Sequence, residues 1–258
     1  MAELPDLTVF ASTINRKFGG KNLNNLKVEV DKKLNVGAAE LENKLKGKKF
    51  NQVERVGKTL QFHFADQEIL GLHLMLRGAL REINDDEPLP NHIIVSFHFQ
   101  GGAGFAVTDT LKQATLTLNP PENKVPDAFE ISEVDFLRLL SKRSKRIKEL
   151  LMDQKAIRGI GNSYADEILW EARISPLSSA KAIPDKAAKV LYTAMVKVLK
   201  QAIQKIAEEN KDELRGELRD FMKIHGASIH KSPTGHPVKS EKINGRMAYF
   251  TTEQILYE

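Results

Sequence analysis

Residues 142–162, KRSKRIKELLMDQKAIRGIGN, gather the residue types that bind anions. Five of the seven residues 142–148 are basic. They belong to a basic helix ending near Leu151. A tight connection, Arg158-Gly159-Ile160-Gly161, then leads into Asn162, a good N-cap for a following helix. Glycine lets a backbone approach a partner closely, and a helix N-terminus presents free N–H groups to an anion. A phosphate could sit between the basic run and the turn at 159–162. The same spacing equally describes an ordinary helical hairpin whose Gly and Asn only cap helices.

Metal chemistry has less support. The chain has no cysteine, which excludes disulfides, thiolate zinc sites and cysteine nucleophiles together. His225, His230 and His236 lie close together, but three histidines alone are a weak metal pattern. No metal and no cofactor is expected.

The elements that must position these residues fall into two halves. Pro5 opens a helix with Leu7, Phe10, Ile14 and Phe18 at helical spacing, stopped by Gly19-Gly20. From about 26 to 118 the apolar residues alternate as in strands, with a short helix near 38–45. Residues 119–127 carry three prolines, asparagines and charges and read as a linker. Helical patterns follow at 133–151, 162–172, a long stretch after Pro184, and about 213–222. Met247-Ala248-Tyr249-Phe250 closes the chain as a hairpin strand. The expected class is α+β: an N-terminal helix plus β-sandwich over 1–128, a helical domain over 129–222, and a hairpin over 223–258.

The charge follows the same division. Of 39 Lys+Arg and 34 Asp+Glu, residues 1–128 hold 16 and 16, leaving 23 and 18 beyond them. The whole net charge of +5 therefore lies in the second half, as suits a polyanionic partner. No apolar run approaches the ~20 residues needed to span a bilayer, and no secretory signal pattern is visible, so no membrane is expected and a cytoplasmic protein is.

Residues 147–176 as a whole resemble the helix–two-turn–helix of the formamidopyrimidine-DNA glycosylase / endonuclease VIII family. The likeness includes Lys148, Leu151-Met152-Asp153, Gly159-Ile160-Gly161-Asn162 and Tyr164-Ala165-Asp166-Glu167. Other matches fall in the family's order. Ala2-Glu3-Leu4-Pro5-Asp6 is similar to its start, and Val56-Gly57-Lys58-Thr59-Leu60 to a turn with a catalytic lysine. Residues 72–78 resemble a stretch that fills the void left by an everted base, and residues 243–250 the hairpin of its zinc finger.

The resemblance implies a monomeric DNA repair enzyme acting on damaged double-stranded DNA, a glycosylase that also cuts at abasic sites. The nucleophile would be the terminal amine of Ala2 after removal of Met1. An α-amine ordinarily titrates near ~8, well below lysine, so more of it is neutral near pH 7. Glu3 would transfer protons at the sugar and Lys58 would assist. Lys148, Asn162 and Arg246 would bind phosphates, and Leu76 and Lys112 would contact the DNA around the lesion.

Three departures stand out. The family's N-terminal proline is Ala2. Its Asp-Pro-Arg-Arg-Phe-Gly stretch falls at residues 109–114, DTLKQA, so the arginine and phenylalanine that fill the gap and wedge the orphaned base are absent and Lys112 substitutes only in part. Its four zinc cysteines are absent, which leaves a zincless finger held by hairpin packing. Taken singly, each residue has a plainer role: Lys58 a solvated turn lysine, Glu3 a helix-start acid, Arg246 a hairpin arginine, His73 a packed core histidine. A protein that binds abasic or damaged DNA without cutting it is the alternative function. An RNA-binding protein using the same helical turn would leave the N-terminal matches unexplained.

Overall fold

The computed structural model describes every residue except Asp212 and Arg215. The chain forms two compact units: Met1–Asn123 with Ile206–Leu218, and Lys124–Lys205 with Arg219–Glu258. The division expected at 128 and 222 is replaced by one in which helices and C-terminal hairpin share a unit.

The first unit opens on α1 (Leu4–Phe18). Its N-cap is Glu3, whose backbone N–H donates to the Asp6 carboxylate at 2.9 Å. Pro5 stands in the first turn, where the N–H it lacks would have had no intrahelical acceptor. There follow β1 (Leu23–Val28), α2 (Ala38–Leu45), β2 (Phe50–Val56), β3 (Thr59–Phe64), β4 (Ile69–His73), β5 (Ala79–Asn84), β6 (Ile93–Phe99), β7 (Ala103–Thr108) and β8 (Thr115–Leu118). They make two antiparallel four-stranded sheets, ordered β1-β6-β7-β5 and β2-β3-β4-β8.

Alternation in β3 buries Leu60, Phe62 and Phe64 toward the space between the sheets. Phe62 of one sheet stacks on Phe97 of the other with ring centroids 5.5 Å apart. Phe97 stacks on Phe105 at 4.5 Å, and Phe18 of α1 on Phe99 at 4.7 Å. Leu214 joins this core, and its N–H donates to Glu82 at 2.9 Å, which explains why residues 206–218 belong here.

Registers place two sheet-to-sheet connections side by side. His73 at the end of β4 lies opposite Thr115 at the start of β8, and Ala79 at the start of β5 lies opposite Thr108 at the end of β7. Residues 74–78 and 109–114 therefore cross from sheet to sheet at the same place.

The second unit holds α3 (Glu133–Ser141), α4 (Ile147–Leu151), α5 (Asn162–Glu171) and all but the last turn of α6 (Asp185–Asn210), then the hairpin β9 (Lys239–Ile243) and β10 (Arg246–Phe250). The helix expected over 133–151 is broken. The backbone carbonyls of Arg143 and Lys145 accept from Lys181 and Ala180, and Ile147 N–H donates to Ser178, so the basic run pairs with another segment. The short helix expected at 213–222 includes Arg215, which lies outside the described residues; the remainder is not helical. The hairpin turns on Asn244-Gly245, both at positive φ (45° and 80°), a conformation these two residues adopt readily.

Gly104 on β7 marks the tightest approach in the first unit. A Cβ there would meet the Phe97 carbonyl oxygen at 2.0 Å. Gly104→Ala should destabilise the protein by about 1–3 kcal/mol through overpacking. Urea unfolding measures this, and an unshifted midpoint would mean the strands separate freely at that point.

Candidate active site and nucleic-acid interface

In the first unit, α1 runs along β2. Asn15 exchanges two hydrogen bonds with Val53 (2.8 and 2.6 Å), and Arg55 Nε donates to Thr8 Oγ1 at 3.0 Å. Arg55 also donates to the Gly57 carbonyl at 3.0 Å. These contacts bring the start of α1, with Ala2 and Glu3, toward the two-residue turn Gly57-Lys58 joining β2 to β3. Gly57 has φ 62°, so glycine suits the turn. Lys58 is largely buried, not the solvated turn lysine of the plain sequence reading.

His73 is the residue whose importance the sequence concealed. Its Nδ1 accepts from the Met75 backbone N–H at 3.0 Å. Burial, and secondarily the charge of Lys58, push its pKa below the ordinary imidazole value. The ring is therefore neutral near pH 7 with its proton on Nε2, a donor beside Lys58.

Beyond His73 the chain turns tightly. Gly78 N–H donates to the Leu74 carbonyl at 2.9 Å, and a Cβ on Gly78 would strike that oxygen. Leu76 at the tip is 57% exposed, a large apolar side chain held out by a rigid turn. The neighbouring connection is built by buried Asp109, whose carboxylate accepts the N–H groups of Leu111, Gln113 and Ala114 at 2.7–2.9 Å. Lys112 projects from it at φ 52°, and Leu111 is 47% exposed.

A cavity of about 250 Å³ is lined by Met1, Ala2, Phe10, Leu76 and Gly78, among others, with Gly216 and Glu217 opposite. The terminal ammonium of Met1 pairs with Glu217 at 2.6 Å. Glu217 has no local sequence signal, because some 200 residues separate it from its partner. The structure thus brings Ala2 and Leu76 to one cavity, and the folding of α1 on β2 directs Glu3 and Lys58 to the same end of the unit.

In the second unit, two expectations need correction. Asn162 is the first residue of α5 and Gly161 is the N-cap. Asn162 Nδ2 instead donates to the Met247 carbonyl at 3.1 Å, while its Oδ1 is buried with no hydrogen-bond partner among the described residues. Lys148 is only 1% exposed: its ammonium pairs with Asp166 at 2.7 Å and donates to the same Met247 carbonyl at 2.9 Å. A buried cation needs a buried anion, and Asp166 answers it. Lys148 thus holds the hairpin to α4 and α5, and it also borders a cavity it shares with Arg246.

Asp166 also accepts from Tyr249 N–H at 3.0 Å and pairs with His225 at 2.7 Å. Next to it, Glu167 accepts the backbone N–H groups of Lys223, Ile224 and His225 at 2.8–3.0 Å. Burial pushes the Glu167 carboxyl upward against the pull of those three bonds. The open cations are elsewhere. Exposed Arg246 begins β10 and, with Lys145, Lys148 and Lys155, lines a cavity of about 480 Å³ that Glu149 and Asp153 share. Lys145 pairs with Asp153 at 2.8 Å.

The finger resemblance implies zinc, and the residues present do not fit it. Hydroxyls and a carboxylate stand in this region where soft thiolates would be needed. His225 is engaged by Asp166, and His236 lies 3.9 Å from Glu253. Among the described residues no group of three His, Asp or Glu could hold a metal ion, and no helix is long and apolar enough to cross a membrane.

The Lys58–His73 pairing is open to test. Replacing Lys58 with Gln removes the nearby charge, so the His73 pKa should rise toward the ordinary imidazole value, followed by NMR of the ring nitrogens. An unchanged titration would place the Lys58 charge away from the imidazole.

Comparison with known proteins accounts for both halves of this arrangement. The formamidopyrimidine-DNA glycosylase N-terminal domain matches residues 1–116, and the formamidopyrimidine-DNA glycosylase H2TH domain matches residues 124–212. The formamidopyrimidine-DNA glycosylase of Lactobacillus gasseri is 30% identical over the full length of both chains, and that of Listeria monocytogenes serotype 4b is 27% identical over 97% of this chain and 98% of its own. The fold is that of the Lactococcus lactis Fpg solved in complex with an abasic site containing DNA: TM-score 0.89, 23% identity, 98% of this chain and 99% of the other covered. With both domains matched in order and a relative aligned end to end, the chain belongs to the formamidopyrimidine-DNA glycosylase / endonuclease VIII family.

Proposed function

We propose that this protein is a DNA repair glycosylase with abasic-site lyase activity, a monomer acting on damaged double-stranded DNA in the cytoplasm. The observation that carries the reading is the position of the chain's amino end, in a 250 Å³ cavity beside the exposed Leu76. A nucleophilic amine needs a concave site for an everted sugar, and an apolar side chain at its rim can occupy the space that the base vacates.

The chemistry follows from residue types. With Met1 removed, the Ala2 amine attacks C1′ of the deoxyribose, and the bond from C1′ to the damaged base breaks as the base leaves protonated. The C1′–O4′ bond then breaks, the ring oxygen takes a proton as the sugar opens, and nitrogen and C1′ form an iminium that acidifies C2′; loss of the C2′ proton expels the 3′ phosphate by β-elimination. Glu3 exchanges protons at the sugar, and Lys58 with neutral His73 supplies positive charge and a donor. A primary amine forms the imine as a proline nitrogen does, without the ring constraint. Arg246, Lys145 and Lys155 supply the phosphate-facing charge, while Asn162 and Lys148 set the hairpin that carries Arg246.

A second reading, a damaged-DNA binder without chemistry, applies to any form of the protein that keeps Met1, because the Ala2 nitrogen is then a peptide nitrogen.

Borohydride trapping on abasic-site DNA with untagged protein, read by intact mass and peptide mapping, separates the two. The enzyme reading expects a covalent adduct at Ala2. An adduct at Lys58 would move the nucleophile to the lysine, and tight binding without any adduct would establish the binder. A companion expectation concerns Glu3. Glu3→Gln should reduce base release by a factor of about 100 or more, as for loss of a proton-transfer group, while sparing DNA affinity. Full activity in that variant would remove Glu3 from the mechanism.

A further inference from the structure

One largely buried carboxylate in the second unit gathers donors from several side chains. Glu253, just beyond β10, accepts the hydroxyls of Thr234 (2.8 Å to each oxygen), Thr251 (3.1 Å) and Ser232 (3.2 Å). It also accepts Trp170 Nε1 at 3.4 Å and pairs with Arg173 at 2.8 Å, with His236 at 3.9 Å. These donors come from three stretches of chain: the turn at 232–236, the end of β10, and the C-terminal end of α5.

We propose that Glu253 is a positioning residue for DNA binding, an anionic knot that does by hydrogen bonding what a tetrahedral metal would do in a thiolate finger. The stereochemical logic is shared: one centre with several ligand directions ties segments that have too little apolar surface to pack alone. The polarity is inverted, with a central anion and surrounding donors in place of a central cation and surrounding thiolates.

The knot acts through the hairpin. β10 is held to the helices through the Met247 carbonyl, by Lys148 and Asn162, and through the Tyr249 N–H, by Asp166; just beyond the strand, Glu253 meets Trp170 and Arg173, and the neighbouring Gln254 and Ile255 bond the backbone of residues 173–175. Loss of the Glu253 carboxylate removes the side-chain share of the anchorage beyond the strand and leaves only the bonds of Gln254 and Ile255 there. Arg246, adjacent to Met247, is the exposed cation whose aim depends on that attachment.

Burial opposes the charge on Glu253, but the hydroxyls of Thr234 and Thr251, the indole of Trp170 and the guanidinium of Arg173 outweigh it and hold the carboxyl down to about 2. The folded-state value is depressed, so the carboxylate's contribution is complete above the ordinary carboxylate range and is lost only as pH falls toward about 2.

This inference rests on the DNA-binding reading above, and its test has a readout that does not. Hydrogen exchange followed by NMR reports the hairpin, and fluorescence anisotropy reports affinity for abasic-site duplex. In Glu253→Gln the amides of residues 247–250 should exchange faster than in wild type, and affinity should fall about tenfold, as for loss of a charge-assisted bond network. Thr234→Ala, a milder change, should move both in the same direction. In an Arg246→Ala background Glu253→Gln should lose little more, because Glu253 works through the arginine. Treatment of wild type with a chelator should change neither readout.

Wild-type affinity in both variants, full additivity with Arg246→Ala, or loss of hairpin protection on chelation would each overturn the proposal. A wild-type protein that binds no abasic-site duplex would instead overturn the functional reading, and the exchange data would then decide the anchoring role of Glu253 by itself.

Discussion

The second unit is organised around adjacent buried carboxylates on one helix. Asp166 and Glu167 lie on α5 with almost no exposure, and a buried charge is tolerated only when cations and N–H donors surround it. Meeting that demand draws in Lys148 from α4, His225 and the backbone of residues 223–225, and Tyr249 from the hairpin. Three separate stretches of the chain are thereby tied to one helix turn. Lys148 is drawn inward, and the open charge passes to Arg246 and the lysines lining its cavity.

The first unit solves a different problem. An aromatic core between two sheets leaves their connections to cross at the edge, and the registers of β4 with β8 and of β5 with β7 bring two such crossings together. Each is stiffened locally, one by Gly78 closing on the Leu74 carbonyl and the other by Asp109 accepting three N–H groups. Rigid turns can hold exposed apolar tips, as at Leu76 and Leu111, because their backbone bonds do not depend on burying those side chains. α1, laid along β2 by Asn15 and Arg55, delivers the amino end of the chain to the same edge.

The departures from the family pattern are chemically coherent. In the proposed chemistry Ala2, freed of Met1, supplies an amine where the family has proline, with less constraint. The chain has no cysteine, and beside the hairpin hydroxyls and one glutamate bond to each other, so hydrogen bonds and carboxylates add to strand packing there. Hydrogen bonds of this kind rely on many partners, each contributing modestly, whereas a metal concentrates the same task in one ion.

Much of the fold was legible in the residues. Helical spacing with Pro5 and Gly19 defined α1, alternation in LQFHF defined β3, and Asn244-Gly245 defined the hairpin turn, because these are local rules acting over a few residues. The order of short motifs, from Ala2-Glu3 through Lys58 and residues 147–176 to Arg246, carried the family. What only the tertiary structure decided was charge pairing across distance. Whether Lys148 faces DNA or Asp166, that His73 is neutral beside Lys58, that Met1 meets Glu217, and that Glu253 is a hub all depend on partners tens to hundreds of residues away. A side chain's protonation and direction are set by the field and burial of its surroundings, and the sequence alone names those neighbours without placing them.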